Sequence, residues 1–150
     1  MYNYKLTIQY DGALYAGWQM QENAVSVQEV IKKSIEQIIR EEVNLIGAGR
    51  TDSGVHALGQ VANFKFNKEL ELNKFNYSLN SVLPDDISVN KIEIVDENFH
   101  SRFSAKRRSY IYLISKSKTP FYNRYSYSYY SALDPEILNQ ISKNLFVKKL

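Results

Sequence analysis

The chain opens on a strict alternation. Tyr4, Leu6, Ile8 and Tyr10 are separated by single, more polar residues, a period of two that predicts a half-buried strand over Asn3 to Asp11. Asp11-Gly12 then supplies a turn. After Ser26 the period lengthens: Val27, Val30, Ile31, Ile35, Ile38 and Ile39 recur at helical spacing. Ser26 with Glu29 has the form of a capping box, so a helix is predicted over Ser26 to Glu41. Val43 to Ala48 reads as a strand and Gly49 to His56 as a loop. Gln60 to Phe66 reads as a strand, Asn73 to Val82 as a helix, and Ile87 to Val95 as a strand that follows a Pro84-Asp85-Asp86 turn.

That order, βαββαβ, is the ferredoxin-like signature of the α+β class, in which two helices cover one face of an antiparallel sheet and leave the other free for function. Additional antiparallel strands are predicted at Arg108 to Ser115 and Tyr125 to Ser131. Asp134-Pro135-Glu136 then opens a helix running to the C-terminus, with Ile137, Leu138, Ile141, Leu145 and Phe146 as its apolar stripe. The stripe either packs back on the sheet or begins a second unit.

With 150 residues and 44% apolar composition, the chain can build one buried core, and it has no apolar run near the length of a membrane span. A cytoplasmic protein is expected. Zero cysteines exclude disulfides, thiol catalysis and thiolate metal sites, and two widely separated histidines, His56 and His100, argue against a histidine-rich metal site. The net charge of +3 is modest, but Arg102, Lys106, Arg107 and Arg108 are clustered, followed by Lys116, Lys118 and Arg124. Tyrosines crowd the stretch from Tyr110 to Tyr130 among these cations. Aromatic faces beside positive charge suit unstacked bases and phosphates, although tyrosine is also an ordinary strand residue.

In the loop Gly49-Arg50-Thr51-Asp52-Ser53-Gly54-Val55-His56, Asp52 taken alone is a turn residue between glycines. Its neighbours suit chemistry as well. An Arg50 guanidinium at contact distance would keep the carboxylate ionised, as a nucleophile requires, while Thr51 and Ser53 offer hydroxyls to orient it. His56 is read as a hydrogen-bonding structural residue, and Asp11, Tyr15 and Trp18 as a packed turn after the first strand.

The segment Gly49 to Ala57 closely resembles the active-site motif of the TruA family of tRNA pseudouridine synthases. Tyr10-Asp11-Gly12, Tyr15, Gly17-Trp18-Gln19, Ser26-Val27-Gln28, Gly59-Gln60-Val61, Leu83 to Ile87, Phe99 to Ala105 and Tyr110-Ile111-Tyr112 match in the same order. The resemblance implies an isomerase without cofactor or metal. Such an enzyme breaks the bond from C1′ to N1 of a uridine in the tRNA anticodon stem-loop, turns the base over and rejoins it through C5. Asp52 would be the catalytic carboxylate, acting at C6, at C1′ or through a glycal, and Tyr110 a candidate for removing the C5 proton. Arg50 would be either a structural ion-pair partner of Asp52 or a support for the opened RNA. Arg102, Lys106, Arg107 and Arg108 would meet phosphates, and Gln19 would lie near RNA.

Family members are longer, with a second half of related fold, and the resemblance implies a homodimer. Residues 1–132 are then the N-terminal catalytic domain with its added strands, and 133–150 the first helix of the second half. The terminal Asn144 to Lys149 resembles a basic helix motif of the family only faintly. A catalytically silent RNA-binding fragment is the alternative from another class. A carboxylate hydrolase or metal-dependent phosphotransfer enzyme suits Asp52 alone but lacks a second nearby acid.

Overall fold

The computed structural model of the protein describes residues 1–145. They form two compact units that divide between Arg107 and Arg108. In the first, β1 (Tyr2–Tyr10), α1 (Val27–Ile39), β2 (Ile46–Gly47), β3 (Ala57–Phe66), α2 (Leu72–Val82) and β4 (Ile87–Val95) follow the expected βαββαβ order. The sheet runs β2-β3-β1-β4 with every neighbouring pair antiparallel, so the α+β, ferredoxin-like reading holds.

The alternation in β1 does what its period requires: Tyr4, Leu6 and Ile8 are completely buried, and Phe64 and Ala62 of β3 lie beside them. Val27, Ile31 and Ile35 of α1 and Phe75 and Leu79 of α2 close the same core. Each such side chain contributes about 1.5–3 kcal/mol by leaving water. Ser26 caps α1 by accepting from the Glu29 N–H at 3.3 Å, as the sequence predicts, and the helix ends at Arg40 in the left-handed conformation rather than reaching Glu41.

Two expectations need correction. The strand expected over Val43 to Ala48 shrinks to Ile46–Gly47 because α1 captures its main-chain groups. The Val43 N–H donates to Glu36 at 3.0 Å, and Gln28 donates to the Leu45 carbonyl at 2.8 Å. Val43 and Leu45 still bury their side chains, so the apolar pattern is satisfied without a ladder.

The second correction concerns the other unit. Its strands are only β5 (Ile114–Ser115) and β6 (Tyr127–Ser128), and they pair parallel rather than antiparallel. Tyr110, Ile111, Tyr112 and Leu113 are exposed, so no buried face propagates a ladder back toward Arg108. In the same unit Asp134 caps α3 (Pro135–Lys143) by accepting from Glu136 and Ile137 N–H groups, and Ile137, Leu138, Ile141 and Leu145 are exposed. The helix, expected to run to the C-terminus, ends at Lys143 with Asn144 as its C-cap, while Phe146 of its stripe and the rest of the basic segment lie outside the described residues. No helix among the described residues is long and apolar enough to cross a membrane.

Candidate active site

The loop between β2 and β3 lies on the segment that follows β1. The Trp18 N–H donates to the Thr51 carbonyl at 3.0 Å and the Gly54 N–H to the Tyr15 carbonyl at 3.2 Å. Ser53 Oγ donates to that same carbonyl at 3.2 Å. From the sheet, Tyr10 Oη and Thr51 Oγ1 share a 2.9 Å hydrogen bond, and Gln60 donates to the Gly49 carbonyl at 2.8 Å. The main-chain approach at Gly17 is so close that a Cβ there would overlap the Thr51 carbonyl oxygen, and its φ of +85° disfavours any side chain.

Within this frame Asp52 begins a tight turn, its carbonyl accepting from the Val55 N–H at 3.2 Å, with Gly54 at φ +77° supplying the left-handed position. The turn exposes Asp52. Among the described residues its carboxylate has no hydrogen-bond or ion-pair partner. The expected ion pair with Arg50 is not formed: the exposed guanidinium Nε donates instead to Gln19 Oε1 at 3.2 Å. Arg50 and Gln19 are thus brought together beside the loop, and Asp52 is left facing solvent.

The residues read as scaffold pack or hydrogen-bond beneath the loop. Trp18 is 1% exposed and packs against Tyr10 with the two rings tilted by 31°, while Asp11 caps the short 3-10 turn Gly12–Leu14 by accepting from the Ala13 N–H at 3.0 Å. His56 Nδ1 lies 3.1 Å from the Gly12 N–H and 2.9 Å from Asp11 Oδ1. A bare nitrogen accepts from Gly12 and a protonated one donates to Asp11, so either form ties the end of the loop to this turn. Tyr15 Oη donates to Asp86 at 2.6 Å, and burial together with that carboxylate pushes the phenol far above its ordinary range. Gln28 binds both the Leu45 carbonyl and the Met20 N–H, holding the base of β2 against the same segment.

Arg102 lies elsewhere in the first unit, on the connection after β4, exposed and with its guanidinium 6.0 Å from the centre of the Phe103 ring. That connection is fastened to the sheet by Asn3, Asn63 and Ser101, a buried set that sequence reasoning missed. Lys106 and Arg107 are exposed at the end of the unit. Arg108 and Tyr110 belong to the second unit, where both are exposed.

A family model described as tRNA pseudouridine synthase matches residues 6–104, the stretch that holds the loop, its bed and the Arg102 connection. The chain is 56% identical over 118 residues to tRNA pseudouridine synthase A of Thermoanaerobacter sp. (strain X514), covering 79% of this chain and 48% of that protein. It is 44% identical over 143 residues to tRNA pseudouridine synthase A 1 of Protochlamydia amoebophila, covering 93% and 56%. With tRNA pseudouridine synthase A of Brachyspira hyodysenteriae it shares 43% identity over 149 residues, covering 97% and 60%. The chain spans about half the length of the curated relatives it matches. Every motif that builds the bed of the Asp52 loop falls inside the family match, and the chain belongs to the tRNA pseudouridine synthase family.

Proposed function

We propose that this chain carries the catalytic carboxylate of an enzyme that isomerises uridine to pseudouridine in the anticodon stem-loop of tRNA. The observation that carries the reading is the state of Asp52: exposed and unpartnered among the described residues, on a loop fastened by hydrogen bonds from both β1 and the segment after it. A reactive carboxylate needs that combination, because a fixed backbone sets the attack geometry while a bare side chain leaves the oxygen available.

A uridine in a stem must leave the stack before Asp52 can reach it, at a cost of a few kcal/mol. Arg50 is assigned to support the opened RNA, with Gln19 beside it, and its exposure next to the loop with a single 3.2 Å bond to Gln19 supports that reading. Once the bond from C1′ to N1 is broken and the base has turned, C1′ joins C5 and the C5 proton departs. Tyr110 is assigned to take that proton. Arg102, Lys106, Arg107 and Arg108 supply phosphate contacts that position the RNA without reading its sequence. The isomerisation involves no net redox change and asks for no cofactor.

The full enzyme is proposed to be cytoplasmic and homodimeric, with residues 1–132 as its catalytic domain and the helix after Leu133 as the start of its second half. In a full-length enzyme carrying this segment, Asp52→Ala is expected to abolish release of tritium from tRNA labelled at uridine C5, with circular dichroism unchanged. Undiminished release would sink the assignment. The half-length match to relatives supports a second reading for the isolated chain, an RNA-binding piece without turnover. Stem-loop binding that weakens with salt, with no tritium released at high protein concentration, would favour it.

A further inference from the structure

We infer that Asn63 is a positioning residue for the RNA contact of Arg102, acting through Ser101 from the buried floor of the second sheet face. The inference rests on the proposed function, which gives Arg102 a phosphate to meet.

Along β1 and β3 alternate residues point to opposite faces, so Asn3 and Asn63 turn away from the helices that Tyr4 and Phe64 meet. Elsewhere this second face is half-open and charged: Lys5 of β1 pairs with Glu93 of β4 at 2.9 Å. Asn3 and Asn63 are nevertheless only 1% and 2% exposed, because the segment after β4 lies over them. Asn63 Oδ1 accepts from both the Ser101 N–H at 2.9 Å and Ser101 Oγ at 2.7 Å. Asn63 Nδ2 donates to Asn3 Oδ1 at 3.0 Å, and Asn3 Nδ2 donates to the carbonyls of Asp96 and Phe99, both at 2.9 Å.

Apolar side chains would cover this face without the cost of desolvating two amides. Amides do something apolar groups cannot. They bind main-chain atoms at Asp96, Phe99 and Ser101, and so fix where the backbone runs rather than merely what packs against it.

Ser101 is the residue before Arg102, and beyond it the turn is closed by its own bonds. The Ser104 N–H donates to the His100 carbonyl at 2.8 Å, the His100 N–H to Ser104 Oγ at 3.1 Å, and the Arg102 N–H to His100 Nδ1 at 3.2 Å. A turn closed on itself moves as one body, so a shift at Ser101 carries Arg102 with it. Asn63 therefore places a guanidinium that it does not touch.

The test measures binding of an anticodon stem-loop RNA to this 150-residue chain across a salt series, because the slope of log affinity against log salt counts phosphate contacts. Arg102→Ala is expected to flatten that slope by about 0.7–0.9, one phosphate's worth. Asn63→Ala should flatten it equally, and adding Arg102→Ala to it should flatten it no further. Ser101→Ala keeps the main-chain bond to Asn63, and with it the fold, and is expected to give a smaller loss of slope. Circular dichroism monitors folding, and if Asn63→Ala unfolds, Ser101→Ala decides alone.

Folded Asn63 and Ser101 variants that keep the full slope while Arg102→Ala loses its phosphate would overturn the inference and leave the proposed function standing. An unchanged slope in Arg102→Ala itself, or salt-independent binding by the unaltered chain, would remove Arg102 from the proposed RNA contact and the inference with it.

Discussion

Two connections in the first unit carry exposed polar groups, and they are fastened in different ways. The loop that presents Asp52 is held largely through its main chain. Carbonyls and N–H groups of Thr51 and Gly54 meet those of Tyr15 and Trp18, and Gly17 lets the two backbones touch. The connection that presents Arg102 is held by two buried asparagine side chains reaching out of the sheet. Main-chain contacts fix a loop closely while leaving its side chains free, which suits a carboxylate that must be bare. Side-chain amides pin the connection at Asp96, Phe99 and Ser101 and let the turn beyond Ser101 close on itself, which suits the proposed role of Arg102, a cation that only needs to be aimed.

The largest expected effect comes from breaking the second kind of anchor. Asn63→Ala strands the Ser101 N–H, the Ser101 hydroxyl and Asn3 Oδ1 in a buried place, at about 1–3 kcal/mol for each group left without a partner. Chemical denaturation should show the sum, and a loss below 1 kcal/mol would mean that water readily reaches this face. Gly17→Ala attacks the first kind. It forces a side chain into a positive-φ position, about 1–3 kcal/mol of strain, and drives a Cβ into the Thr51 carbonyl. The loop must then move, so a full-length enzyme should lose turnover well beyond its loss of stability. Unchanged turnover would show that the Asp52 loop does not depend on this bed.

How much of this is legible in the sequence follows from the range of the interactions. The β4 boundaries, Ile87 to Val95, and the Ser26 cap are local, written in period and in residues three apart. The fate of Val43 to Ala48 is not local, because Glu36 and Gln28 of the preceding helix bind the main-chain groups a strand would have used. The Asp52 loop was legible as a motif, but its expected partner was wrong: Arg50 is near in sequence, yet its guanidinium reaches Gln19 across 31 positions. Asn63 sits at a polar position of an alternating strand, which reads as a solvent-facing residue. Only the arrival of residues 96–104 over that face buries it.

Tyr15 sharpens the comparison, since its carbonyl anchors the Asp52 loop while its hydroxyl reaches Asp86 in the turn before β4. Tyr15→Phe removes a hydrogen bond to a charged group, about 1.5–3 kcal/mol at neutral pH. The folded phenol has a raised pKa, so as pH climbs past about 10 the unfolded chain loses this proton first and the native protein gives up the advantage. The stability gap between the native protein and the variant is therefore full below pH ~10 and narrows above it. A gap constant to pH 11 in urea titrations would show that the Tyr15 hydroxyl is not held as the 2.6 Å contact implies.

The smallest effect tests the side chains that the main-chain anchor leaves free. Gln19 and Arg50 are both exposed and share one 3.2 Å bond, so Gln19→Ala should change stability by less than about 0.5 kcal/mol. Binding separates the two residues. Arg50→Ala deletes a charge and should flatten the salt dependence of stem-loop binding, whereas Gln19→Ala keeps the charge but releases the guanidinium. It should weaken binding a few-fold at every salt concentration with the slope intact, because ordering a freed side chain costs about 0.5–1.5 kcal/mol. If Gln19→Ala flattens the slope instead, Gln19 is more than a rest for Arg50, and the phosphate contact of the guanidinium depends on the hold of Gln19.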